Sequence, residues 1–132
     1  MKDIPIFKLE FDKKFQEKYN LLSNKVFNSK ALSEGAYVSK FEKKFSNLVH
    51  SKYSVAVSNG TAALEIAFRA INIKDKEVIV PTNTFFATLI AIIKAGGKPI
   101  LCDSEKGSPD LSIKEVEKKI TKKTKAVCVV HV

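Results

Sequence analysis

Residues 77–102 read EVIVPTNTFFATLIAIIKAGGKPILC, and this stretch decides the fold class. Val78-Ile79-Val80 is a continuous apolar run closed by Pro81, the pattern of a strand covered on both faces. Thr84 to Ala95 is apolar and long enough for a helix, and Gly96-Gly97 supplies its stop signal. Pro99 to Cys102 reads as a second strand. Strand, helix and strand in that order need a crossover connection, so the two strands are expected to be parallel.

The same alternation continues outward in both directions. Upstream, Tyr53-Ser54-Val55-Ala56-Val57 reads as a short strand, and Gly60 to Asn72 as an Ala-rich helix. Downstream, Ser112 to Ile120 reads as a helix opened by a capping box, Ser112 with Glu115 three residues later. Lys125 to Val132 is the final strand, carrying the apolar run Val127-Cys128-Val129-Val130. Before all of this lie two amphipathic helices and a loop over residues 30–37. Residues 11–29 put Phe11, Phe15, Leu22 and Val26 on one face, and residues 38–50 do the same with Val38, Phe41, Phe45, Leu48 and Val49. The class is therefore α/β with a mainly parallel sheet. The expected division is a helical segment over residues 1–52 and a sheet-bearing domain over 53–132. The last strand reaches Val132 with no covering helix after it, so these residues are expected to be part of a larger domain.

Composition narrows the function classes. With 132 residues, 45% hydrophobic and 28% charged, the chain has the length and apolar content of one globular domain. Two cysteines, Cys102 and Cys128, are too few for a disulfide scaffold and are expected to be reduced core thiols. His50 and His131 are far apart, so no metal-ligand spacing exists, and His131 reads as a core histidine on a strand. The longest apolar stretch, Phe85 to Ile93, is too short to span a bilayer, and Met1-Lys2-Asp3-Ile4-Pro5 has no signal character. A cytoplasmic protein without a membrane partner is expected.

The formal charge is +9, which raises nucleic acid as a partner. Of the 23 basic residues, 22 are lysine and one is Arg69, whereas base and phosphate recognition favours arginine. Residues 53–103 carry five basic and four acidic groups, so the middle of the chain is nearly neutral. A solvated lysine-rich surface is expected, with no nucleic acid partner.

Ligands of open α/β sheets bind beyond the carboxyl ends of the strands. The first such end is Ser58-Asn59-Gly60-Thr61-Ala62-Ala63-Leu64, a small-residue turn running into a helix. Free N–H groups and the helix dipole suit it to an anion, while Ser58 or Asn59 could equally serve as a simple helix cap. The second is Pro81-Thr82-Asn83-Thr84-Phe85-Phe86, where Phe85 or Phe86 could stack on a planar ligand or sit in the core. The third is Asp103-Ser104, where Asp103 is either a functional carboxylate or a turn cap.

Together these segments resemble the DegT/DnrJ family of pyridoxal 5′-phosphate (PLP)-dependent sugar aminotransferases. The resemblance runs through Val38, Phe41-Glu42 and Phe45, then Ser58 to Leu64, Pro81 to Thr88, Pro99 to Asp103, and Thr124 to His131, in order over residues 4–132. It implies the three-layer α/β architecture of the aspartate-aminotransferase type, incomplete in this chain, and a homodimer in the complete protein. It implies PLP as cofactor, glutamate or glutamine as amino donor, and a keto group of a nucleotide-linked sugar as acceptor. By position, Gly60, Thr61 and Ala62 would hold the cofactor phosphate, and Phe85 would stack on the pyridine ring. The family's pyridine-pairing Asp and Schiff-base Lys motifs are absent from these residues, so no catalytic residue is assigned and the chain alone is expected to be inactive. Two other readings stay open: a non-catalytic regulatory or binding module of the same fold, and a basic nucleic-acid-binding domain.

Overall fold

The computed structural model describes residues 9–131. Its elements are α1 (Lys13–Ser29), α2 (Ala36–Leu48), α3 (Gly60–Ala70), β1 (Glu77–Pro81), α4 (Ala87–Lys94), β2 (Lys98–Cys102), α5 (Ile113–Lys119) and β3 (Thr124–Val127). They fall into two compact units, residues up to Ala56 and residues from Val57 onward.

The first unit is helical. Asp12 caps α1, its Oδ1 accepting from Phe15 N at 2.6 Å, so the helix starts at Lys13 and not at Phe11. Phe11, Phe15 and Tyr19 stack along one side with ring centroids 5.0 and 6.5 Å apart. The second helix begins two residues before Val38, because Gly35 already takes the cap conformation. Neither helix carries a buried residue.

The expected strand over residues 53–57 does not form: no ladder partner pairs with it among the described residues, and Tyr53 and Val55 are 75% and 80% exposed. A strand is a paired object, and apolar alternation alone cannot supply the pair. The segment belongs to no helix or strand, and Ala56 N donates to Glu42 Oε1 at 2.8 Å.

The second unit holds the sheet, in the order β2-β1-β3, with both pairings parallel. The central strand is buried on both faces, as its unbroken apolar run requires. Val78 and Val80 join Phe68, Ile73, Ala91, Ile92 and Ala95 in one core cluster. Alternation sends Ile79 to the other face, where it is also fully buried. Pairing of Glu77 to Pro81 with Lys98 to Cys102 confirms the crossover expected from residues 77–102.

Turn chemistry sets the connections. Asn72 and Asp75 adopt left-handed backbone, ending α3 two residues earlier than its apolar pattern suggests. Gly96 has φ +80, and Gly97 N donates to Ile92 O at 2.9 Å, closing α4. At Gly97 an added Cβ would lie 2.6 Å from Ile73 Cδ1, so glycine here is a packing requirement.

Three further expectations are corrected. The final strand ends at Val127 and does not run on towards Val132, which lies outside the described residues. The reason lies in β1: Cys128 N reaches Ile79 O at 2.8 Å, but the next rung would need an N–H from Pro81, which proline lacks. His131 consequently lies past the strand and is exposed, not a core histidine. The capping box of α5 does not form either: Ser112 Oγ donates to Glu105 Oε2 at 3.0 Å, and Glu115 pairs with Lys118 at 2.6 Å.

Candidate functional site

α3 runs into β1 through a tight turn, so its N-terminus lies at the carboxyl end of the parallel sheet. The loop after β1 lies at that same end. The topology of the second unit therefore brings Gly60, Thr61 and Ala62 to the same end of the sheet as Phe85.

The start of α3 is built by Asn59. Its backbone is extended (φ −165), and its Oδ1 accepts from Ala62 N at 2.9 Å. Of the two capping candidates, Asn59 is thus the cap, and Ser58 Oγ accepts from its amide at 3.3 Å. Capping does not exhaust the donors. No acceptor among the described residues meets the N–H of Gly60 or Thr61, or the Thr61 hydroxyl. A Cβ added to Gly60 would meet nothing within 4 Å, so the protein itself does not use the space there. The first turn of α3 carries no acidic residue, which leaves the positive end of the dipole unopposed. An anion with several oxygens fits this arrangement. Ala62 is different: its N–H is committed to Asn59.

After β1 the chain turns through residues 82–86 before α4 begins at Ala87. Phe85 and Phe86 are 69% and 63% exposed, with ring centroids 4.4 Å apart at 54°. The possibility of two core phenylalanines is overturned. Neither ring belongs to the core cluster that holds Ala91 and Ile92, and both residues precede α4. A flat apolar ligand would find an open ring face here.

At the third strand end, Asp103 Oδ1 accepts from Ser104 N at 2.9 Å and its carbonyl accepts from Ser112 N at 3.2 Å. It organises the turn that leads to α5. Asn83 Nδ2 reaches Pro109 O at 3.5 Å, a long contact between the loops after β1 and β2.

Cys102 is fully buried and Cys128 half-buried, and both are free thiols. Burial pushes both thiols above their ordinary range, with nearby Lys119 pulling Cys102 back by less. Neither is an activated nucleophile. No helix among the described residues is long and apolar enough to cross a membrane.

One feature of the site escaped the sequence reading: Thr84 Oγ1 lies 3.0 Å from Thr88 Oγ1, on either side of Phe85 and Phe86. The available signal was two threonines four apart across a helix start, which is the spacing that stacks side chains on one face.

The profile of the DegT/DnrJ/EryC1/StrS aminotransferase family matches residues 13–132. The chain is 41% identical over 132 residues to GDP-perosamine synthase of Escherichia coli O157:H7, covering 99% of this chain and 35% of that protein. It is 35% identical over 130 residues to dTDP-3-amino-3,6-dideoxy-alpha-D-galactopyranose transaminase of Aneurinibacillus thermoaerophilus, covering 97% and 36%. Among solved structures, NtdA of Bacillus subtilis with bound cofactor PMP matches with a TM-score of 0.87 at 30% identity, covering 100% of this chain and 32% of that one. The chain thus spans about a third of the length of the relatives it matches.

Proposed function

The chain belongs to the DegT/DnrJ/EryC1/StrS aminotransferase family, and on that premise we propose that it is the cofactor-phosphate portion of a sugar aminotransferase. The cofactor is pyridoxal 5′-phosphate. The reaction moves an amino group from glutamate or glutamine to a keto group of a nucleotide-linked sugar. The complete protein works as a cytoplasmic homodimer, and residues 53–132 form the first part of its large domain. Both relatives named above carry a nucleotide-linked amino sugar in their names, and the NtdA structure holds PMP.

The observation that carries the reading is the start of α3. Two backbone N–H groups and a threonine hydroxyl have no acceptor among the described residues, at a helix N-terminus where a Cβ added to the glycine would meet nothing within 4 Å. Such a cradle fits the dianionic phosphate of this cofactor. Gly60 and Thr61 would donate their N–H groups, and Thr61 its hydroxyl. Ala62 contributes a small side chain, since its N–H belongs to Asn59. Phe85 offers its exposed face to the pyridine ring. When bound, the cofactor supplies an electron sink for proton removal next to the transferred nitrogen. These residues bind and orient it. None of them moves a proton, and the chain alone is predicted not to transaminate.

The test is transfer of 15N from labelled glutamate or glutamine to a nucleotide-linked keto sugar, read by mass spectrometry on the complete protein. Labelled amino sugar is the expected product. Tight cofactor binding without transfer from either donor would replace the enzyme by a non-catalytic module of the same fold.

A further inference from the structure

The run Thr84-Phe85-Phe86-Ala87-Thr88 places a hydroxyl on each side of the two exposed rings. α4 begins inside this run, and Phe86, at its cap position, supplies no side-chain acceptor. The loop is instead tied to the helix by threonine. Thr88 is 6% exposed, and its Oγ1 lies 3.0 Å from Thr84 Oγ1. Thr88 N donates to Phe85 O at 3.0 Å. The backbone of Phe85 is thus held from both ends, by a hydroxyl pair that spans it and by its own carbonyl.

The ring has no such hold. Phe85 touches Phe86, itself exposed, and neither belongs to the core cluster. Apart from that one ring contact, where the Phe85 ring stands depends on the backbone of residues 84–86. A buried hydroxyl costs stability unless it is hydrogen-bonded, and valine would fill the same volume without that cost. Core packing alone gives position 88 no reason to carry a hydroxyl. The tie to Thr84 does.

We propose that Thr88 is a positioning residue that aims the Phe85 ring at the planar part of the bound cofactor. This rests on the reading of Gly60, Thr61 and Phe85 given above. Thr88 touches no ligand itself. It acts on the half of the site that grips a ring, and leaves untouched the half that grips a phosphate.

That division supplies the test. Pyridoxamine 5′-phosphate has both ring and phosphate, and inorganic phosphate has only the second. Both are titrated into the complete protein, the first by calorimetry and the second by phosphorus NMR. Thr88→Val is expected to weaken pyridoxamine phosphate by about threefold to tenfold, the range of one aromatic stacking contact. Inorganic phosphate should bind as before. Thr88→Ser, which restores the hydroxyl, should recover most of the loss. An unchanged affinity for pyridoxamine phosphate in Thr88→Val overturns the proposal. Equal losses for both ligands also overturn it, because Thr88 would then be merely structural. If the wild-type protein binds neither ligand, the reading of the cradle fails first and takes this proposal with it.

Discussion

Gly60 and Gly97 are the same residue placed for opposite reasons. At Gly97 a single added carbon would come within 2.6 Å of Ile73 and 3.1 Å of Ile92, both fully buried. At Gly60 the same carbon would meet nothing within 4 Å. Gly97 is required by the protein's own packing. At Gly60 no described residue fills the space, and neither its own N–H nor that of Thr61 meets an acceptor among the described residues. The contrast separates a glycine that builds the fold from one that serves a ligand, a distinction invisible in the letters alone.

The contrast can be broken by mutation. Gly97→Ala should have the largest effect on stability, a loss of about 1–3 kcal/mol from overpacking, read as a lower urea midpoint. Gly60→Ala should do the reverse in kind. Its folding stability should hold or rise by a few tenths of a kcal/mol, since alanine favours a helix, while affinity for pyridoxamine phosphate drops by about tenfold from the blocked backbone approach. Equal stability losses in the two variants would erase the distinction.

Asn59→Ala removes the cap of α3 and should cost about 1 kcal/mol of stability. It frees the Ala62 N–H, so cofactor binding should change less than in Gly60→Ala; thermal unfolding and calorimetry on the same sample check both halves. Thr61→Ala removes one hydroxyl donor and should weaken the cofactor by about threefold to tenfold, the worth of one hydrogen bond, with the urea midpoint unmoved. The smallest effect concerns the thiols. Burial raises both cysteines, so the folded state holds their protons longer than the unfolded chain does. Their contribution to stability is complete below the ordinary thiol range and is lost as pH rises through the raised values. Cys102→Ala should flatten that alkaline slope in a denaturation series from pH 7 to about pH 10.

Much of the second unit was legible because its signals are local. Val78-Ile79-Val80 names a doubly covered strand, and Gly96-Gly97 names the end of a helix, without reference to anything distant. Where the sequence misled, the answer lay in a partner. Tyr53 to Val57 has the residues of a strand but no neighbour to pair with among the described residues. Val129 and Val130 continue an apolar run, yet the ladder stops because Pro81, forty-odd positions away, has no N–H to give. Ser112 and Glu115 have the spacing of a capping box, but Glu105 takes the serine hydroxyl. The site divides the same way. The turn at Ser58 to Leu64 was readable as an anion cradle or a cap, and Asn59 turns out to cap while the N–H groups of Gly60 and Thr61 meet no acceptor among the described residues. The outward stance of Phe85 was not readable, since an aromatic residue carries no mark of which way it faces.

The central claim is that the start of α3 is open for a phosphate that the protein does not itself supply. Calorimetric titration of pyridoxamine phosphate into the complete wild-type protein and into Gly60→Ala, with urea unfolding of both, tests it most directly. The account predicts saturable binding to wild type, about tenfold weaker in the variant, at equal or higher folding stability. Binding of equal strength in both proteins would contradict it.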